Sequence, residues 1–204
     1  MSDTVYISLF DAVPTWVMLV PIFICSILAV AVIIERLVFY RKIDCDYRPI
    51  VKRSSEYIQG GASDDVKTLC AGYSGPIVNL IERLVEGRIA GAVDSLMVQD
   101  LSRSAIRKIE KYIGLMSTVA TVSPMFGLFG TVTGMMKSFS ALTKAGQYAH
   151  DLLARGIAEA LVTTALGLMV AIPAWIFYNY MVTRVDGFIK EVEYVANSLA
   201  GPEL

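Results

Sequence analysis

Three stretches of the chain carry no Lys, Arg, Asp or Glu: residues 12–34, 112–136 and 160–183. Each is built mainly from Val, Ile, Leu, Met, Phe and Ala. At 1.5 Å per residue, helices of these lengths reach about 35 Å, which covers a hydrocarbon layer of about 30 Å with modest tilt. Three transmembrane helices are therefore predicted. Pro14 falls in the first turn of the first one, where no intrahelical bond is lost, whereas Pro21 falls inside it, where a bend is expected.

Between the first and second spans the pattern becomes amphipathic. Residues 50–57 and 64–69 read as helical pieces separated by Gly60 and Gly61, and residues 72–76 read as a turn. From Pro76 the apolar positions Ile77, Leu80, Ile81, Leu84 and Val85 recur at helical spacing as far as Gly87. After Gly91 the same period continues through Val93, Leu96, Met97, Leu101, Ala105, Ile106 and Ile109. No Pro or Gly intervenes before the second span, which predicts one helix running from about residue 92 through the bilayer, with Arg103, Arg107 and Glu110 facing water. The third span continues into Val185, Ile189, Val192 and Val195, with Asp186, Lys190, Glu191 and Glu193 between them. A projecting amphipathic helix is expected there too, although Gly187 weakens it. The fold class that follows is an all-α membrane protein with three transmembrane helices. The second and third extend into the cytoplasm, and a small helical cytoplasmic domain lies between the first and second.

Composition agrees with the pattern. Of 204 residues 55% are hydrophobic and only 18% are charged, where a soluble domain carries about a quarter charged residues. Mean hydropathy is +0.56. The charge distribution adds orientation: thirteen of the eighteen basic residues lie in residues 35–111 and none precedes Arg36. Because basic loops stay on the cytoplasmic side, the expected organisation is a short periplasmic N-terminus at 1–11 and a transmembrane helix at 12–34. A cytoplasmic helical domain follows at 35–111, then a second transmembrane helix at 112–136 and a periplasmic connection at 137–159. The third transmembrane helix occupies 160–183, and 184–204 form a cytoplasmic helical tail. The acidic residues Asp3 and Asp11 add little to this assignment. With no basic n-region ahead of it, the first span is expected to be retained rather than cleaved.

Several functions are excluded or disfavoured. A formal net charge of -1 provides no basic field for nucleic acid. Cys25, Cys45 and Cys70 are spaced neither as a disulfide framework nor as a metal knuckle and read as free thiols. No paired acids, histidine ligands or activated nucleophile suggest an enzyme, and no cofactor is implied. The single histidine, His150, beside Asp151, reads as an exposed helix-start residue.

The polar residues inside the spans carry the candidate chemistry. The second span holds Ser117, Thr118, Thr121, Ser123, Pro124, Gly127, Gly130, Thr131, Thr133 and Gly134. Gly130 and Gly134 form a small-xxx-small pair suited to close helix packing, and Pro124 opens the backbone ladder. In the third span Glu159, Thr163 and Gly167 follow at intervals of four and share a face, with Thr164 beside it and Ala171 and Pro173 further on. Thr131 and the Thr163/Thr164 pair lie at comparable depth if the two helices are antiparallel. These residues serve either helix packing or an ion path. Glu159 is either an interfacial carboxylate favoured near a helix start or part of such a path. Threonine does not titrate usefully, but its hydroxyl both donates and accepts and so can hold a proton chain.

The stretches LMSTVATVSPMFGLFGTVTGMMKSF (115–139) and GIAEALVTTALGLMVAIPAWIFYN (156–179) resemble the two signature helices of the MotA/TolQ/ExbB proton-channel family, in its ExbB/TolQ branch. SILAVAVIIERL (26–37) resembles the family's first helix. The resemblance implies an inner-membrane stator: a homo-oligomer, five chains, around a dimer of an ExbD- or TolR-like single-span partner. That partner carries the essential membrane aspartate. Proton flow would then drive mechanical work that TonB or a TolA-like protein passes on. By motif, Thr131 matches the family's pore threonine in the second helix, Thr164 the one in the third, and Glu159 the membrane glutamate. The resemblance implies that Pro124, Gly127, Gly130 and Gly167 shape the helices presenting these three; with Thr163, Gly134 and Pro173 from the residue pattern, the expected proton pathway is Thr131, Glu159, Thr163 and Thr164, shaped by Pro124, Gly127, Gly130, Gly134, Gly167 and Pro173. Met125, Phe126 and Phe129 stand where the family often has leucines, which bears on partner choice. TonB-dependent import and Tol-type envelope maintenance are the implied uses; a gliding-motility stator and a non-conducting scaffold are the alternatives.

Overall fold

The computed structural model describes residues 15–60, 70, 72–145 and 149–200. Asp3, Asp11, Pro14 and the helical piece expected over 64–69 lie outside them. The described residues contain six helices and no strand: α1 (Thr15–Ile43), α2 (Arg48–Gly60), α3 (Pro76–Ile89), α4 (Ser95–Ile109), α5 (Ile113–Ala145) and α6 (Ala149–Ala200). Three stretches, Leu19–Ile43, Ser95–Ser140 and Leu153–Ala200, are long and apolar enough to cross a membrane. The chain is an all-α membrane protein. It divides into two compact units, Met1–Ile33 with Gly114–Asn179, and Ile34–Ile113 with Tyr180–Leu204.

The first unit holds most of the three uncharged runs. Many of its buried positions are small or polar, among them Ala29, Ala120, Ser123, Thr133, Ala160, Thr163, Ala171 and Ala174, beside the larger Ile22, Val32, Met116 and Val119. Other large apolar side chains point outward, as Phe23, Leu128, Met169 and Ile176 do. Small residues take a larger share of this interior than in a soluble core, and lipid is the reason: burying a Leu against protein gains little over leaving it in hydrocarbon, so close backbone approach through small residues becomes a main attraction. Pro21, Pro124 and Pro173 all lie inside helices.

The second unit has a water-type core. Ile77, Leu80, Ile81, Leu84 and Val85 on α3 are all buried, as their spacing requires. In the C-terminal part of α6 the large buried residues are Met181, Val185, Phe188, Val192, Val195 and Leu199, alternating at three and four residues, with Ala196 and Ala200 buried beside them. Gly187 does not interrupt that helix. Arg88 of α3 donates to the Ala200 carbonyl at 2.5 Å, placing a cation on the C-terminal end of α6, where the helix dipole favours it. On α4, Asp94 caps the N-terminus by accepting from the Met97 backbone N–H at 2.7 Å. The turn before it uses Gly91 at φ 66°, a left-handed conformation that glycine adopts without steric cost.

The single helix expected from residue 92 through the second span is not formed. It stops at Ile109, and α5 begins at Ile113. Tyr112 between them has φ 72°, and the Ile113 N–H turns back to the Glu110 carbonyl at 3.1 Å instead of reaching Ile109. The carbonyls released by this break are taken by a side chain from far away in sequence. Arg36, only 2% exposed, donates from Nη1 to the Lys108 and Ile109 carbonyl oxygens, both at 3.3 Å. Its remaining nitrogens meet both Glu35 carboxylate oxygens, at 2.6 and 3.1 Å. The guanidinium also lies over the rings of Phe39 at 4.6 Å and Tyr112 at 5.0 Å. A buried arginine with four hydrogen bonds and aromatic faces beside it is a tolerable charge. No local signal in residues 92–112 announces the break, because its stabilising partner comes from α1.

Candidate functional site

Helices α5 and α6 pack along a seam of small residues. On α5 these are Ser123, Gly127, Gly130, Gly134 and Ser138, spaced by four, three, four and four. A Cβ placed on Gly127 would lie 3.0 Å from the Thr164 Cα, one on Gly134 would lie 2.8 Å from the Ala160 Cβ, and one on Gly156 would lie 3.1 Å from the Ser138 Cβ. The tightest backbone approach is at Gly167, where a Cβ would sit 2.7 Å from the Ser123 carbonyl oxygen and 3.1 Å from the Gly127 Cα. The contacts run in opposite order along the two helices, so the pair is antiparallel. Van der Waals contact of backbone with backbone is what such spacing provides in lipid.

The hydroxyls of the seam have identifiable partners. Thr164 donates to the Gly127 carbonyl across the helix pair at 2.9 Å. Thr163, 1% exposed, donates to the Ala160 carbonyl of its own helix at 2.7 Å and also reaches Gly127 O at 3.4 Å. One carbonyl thus serves two threonines. Gly127 is within reach because it has no side chain: a Cβ there would lie 3.0 Å from the Thr164 Cα, and its carbonyl oxygen has lone pairs for more than one donor. Ser123, Thr133 and Ser138 are buried and return their hydroxyls to carbonyls of their own helix one turn back: Val119 at 2.7 Å, Phe129 at 3.0 Å and Gly134 at 2.9 Å.

Thr131 is placed differently. It lies one turn beyond Gly127, half-buried, and donates to the Leu128 carbonyl of its own helix at 2.7 Å. Its oxygen keeps lone pairs for a further donor. Glu159 is exposed, although Thr163 and Gly167, four and eight residues further on, are buried in the seam. The structure therefore brings Thr163, Thr164, Gly127, Gly130, Gly134 and Gly167 together. Glu159 stands outside the seam, and Thr131 is partly open. Pro173 is exposed and lies on the side of α6 nearer α1.

Two seam members fall beyond the uncharged windows. Ser138 and Gly156 lie outside 112–136 and 160–183, and a search limited to uncharged runs passes over them. The three-and-four spacing of small residues continues through both positions and is the signal that finds them. His150 and Asp151, at the start of α6, are both exposed.

The model of the MotA/TolQ/ExbB proton channel family matches residues 75–194, which include α5 and most of α6. The Tol-Pal system protein TolQ of Haemophilus influenzae is 49% identical over 86 residues, covering 42% of this chain and 38% of that protein. The biopolymer transport protein ExbB of Pseudomonas putida is 41% identical over 86 residues, 42% of this chain and 26% of its own. An ExbB-like biopolymer transport protein of Synechocystis is 30% identical over 163 residues, 78% of each chain. The matched stretch therefore spans less than two fifths of the first two relatives.

Proposed function

Because the chain belongs to the MotA/TolQ/ExbB proton channel family, in its ExbB/TolQ branch, we propose that it is the channel and stator subunit of an inner-membrane motor. It couples the proton motive force to mechanical work through an ExbD- or TolR-like partner. The assembly is a homo-oligomer of five chains around two partner helices. The basic residues of 35–111 keep that segment in the cytoplasm, so the N-terminus is periplasmic and the C-terminus cytoplasmic. TonB-dependent import and Tol-type maintenance are the two uses that the relatives' names support.

The α5–α6 seam carries this reading. A path for protons through hydrocarbon needs hydroxyls, carbonyls or water at fixed depth, held by helices that do not slide. Glycines at 127, 130, 134 and 167 bring the two backbones close, and the Thr164 hydroxyl locks the register on Gly127. Thr131, partly open and one turn away, then offers a hydroxyl toward whatever packs against this face. Thr163 contributes through the same carbonyl, and Glu159 at the outer margin collects protons at the mouth. Threonines relay protons without storing them, and residues 112–136 and 160–183 contain no carboxylate. The group that takes up and releases the proton at mid-membrane must then come from the partner helix.

Replacing Thr131 and Thr164 together by valine tests the proposal. Valine keeps the shape and removes both hydroxyls. With assembly checked by co-purification of the single-span partner, proton-coupled work is expected to be abolished, while the double serine variant retains it. Full work from the valine variant would leave a scaffold as the better reading.

A further inference from the structure

The second half of α4 and the residues that follow it carry four exposed cations, Arg103, Arg107, Lys108 and Lys111. Lys108 lines the groove between α3 and α4. The other three follow at intervals of four, and Arg103 and Arg107 share one face of α4, about 5–6 Å apart at Cβ. Among the described residues no carboxylate pairs with any of these three, although Asp100 and Glu110 lie in the same segment. Like charges at this spacing repel, so the stripe is unfavourable until an anion meets it. Arg36, by contrast, is buried and already held by Glu35.

Depth and charge select the anion. Tyr112 opens the uncharged run 112–136, and the Lys111 ammonium lies 4.5 Å from its ring centroid, the pairing of cation and aromatic ring that suits a bilayer surface. The headgroup layer adds about 5–8 Å beyond the hydrocarbon on each side. Lys111 stands at its inner edge, and Arg107, four residues back, is brought within range by a side chain whose stem extends along the protein. Topology needs only basic residues on one side of the membrane; it does not call for two of them without carboxylates at the depth of the phosphates. Residues 95–112 carry four basic against two acidic side chains, so the same face of a second copy would repel this one. We propose that Arg107 and Lys111, backed by Arg103, bind the phosphate of an anionic phospholipid in the leaflet that faces residues 35–111. The proposal does not depend on proton conduction.

The test uses the full chain in vesicles of phosphatidylethanolamine and phosphatidylglycerol, three to one. Lipid retained after mild detergent extraction is counted by native mass spectrometry. The unaltered chain is expected to keep phosphatidylglycerol several-fold above its share of the vesicle. Arg107→Gln combined with Lys111→Gln is expected to abolish that enrichment. Arg83→Gln combined with Lys108→Gln, which removes equal charge from the α3–α4 groove, should leave it intact. If the first pair does not accumulate, acetylation of Lys111 in the unaltered chain decides: relative to Lys108, it should slow several-fold when phosphatidylglycerol is added to phosphatidylcholine vesicles. Equal loss in both pairs, retention in proportion to the vesicle, or acetylation indifferent to phosphatidylglycerol would each overturn the proposal. So would displacement of the lipid by millimolar glycerol phosphate, or efficient carbodiimide coupling of Lys111 to a carboxylate of a second copy.

Discussion

The guanidinium of Arg36 donates to the carbonyl oxygen of Ile109 at 3.3 Å, across 73 positions of chain. That bond closes the C-terminal end of α4, and a second one to the Lys108 carbonyl accompanies it. A helix end leaves carbonyls without intrahelical donors, and here a buried cation supplies them. Replacing Arg36 by Met keeps a long apolar stem and removes the donors. Stability is expected to fall by about 1–3 kcal/mol, the cost of leaving the Lys108 carbonyl without this donor, while the Ile109 carbonyl keeps the Tyr40 hydroxyl at 3.4 Å. Arg36→Lys, with charge but no planar fork, should recover only part of it. Thermal unfolding of the detergent-solubilised chain measures both, and an unshifted midpoint for Arg36→Met would mean that other donors satisfy these carbonyls.

Tyr112 supplies a second measure of the same junction. Its φ of 72° costs an L-residue with a Cβ roughly 1–2 kcal/mol, while its ring lies 5.0 Å from the Arg36 guanidinium. Tyr112→Ala loses the ring and keeps the backbone cost. Tyr112→Gly loses the ring and relieves the cost, so it should be the more stable of the two by about 1 kcal/mol. Equal stabilities would show that the left-handed conformation is not retained after the ring is removed.

Glycines on α6 are expected to respond to alanine in opposite directions. At Gly167 the new methyl meets the Ser123 carbonyl oxygen and the Gly127 backbone, neither of which can rotate away, so α5 and α6 must separate. Overpacking of this kind costs about 1–3 kcal/mol. At Gly187 nothing lies within 4 Å of the added carbon, and alanine gains about 1 kcal/mol of helix propensity. Unfolding midpoints should therefore drop for Gly167→Ala and rise for Gly187→Ala. A rise for both would remove the tight seam as a structural element.

Cys70 is buried, and that burial, with the Glu82 carboxylate nearby, pushes its thiol up to about 11. Because the folded chain holds this proton longer than the unfolded chain does, the contribution to stability is complete below the ordinary thiol range. It is lost as pH rises from there through about 11. Alkylation by iodoacetamide in mildly alkaline buffer is expected to be slow at Cys70 in the folded chain and fast after denaturation. Cys70→Ala should flatten the alkaline fall in stability. Rapid modification in the folded state would contradict the burial.

Much of this protein is legible from its chain because lipid imposes a simple rule. A segment without charge and longer than about 20 residues must satisfy its own backbone, so residues 12–34, 112–136 and 160–183 announce helices. The period of α3 and the buried stripe of lower α6 follow from the same logic in water, where apolar residues three and four apart share a face. The motif residues Thr131, Thr164 and Glu159 were likewise visible as polar exceptions in apolar runs.

Tertiary contact decided the rest. Nothing between residues 92 and 112 signals a broken helix, since the carbonyls at the break meet Arg36, a residue of α1 far away in sequence. The sharing of a face by Glu159, Thr163 and Gly167 held only as periodicity. Helix α5 meets Gly156, Ala160, Thr163 and Gly167 and leaves Glu159 exposed, because the seam follows spacings of four, three and four residues and Glu159 lies off that line. Local sequence thus determined which segments are helical and apolar. Which carbonyl each threonine meets, and where the long helix stops, depended on groups brought together by folding.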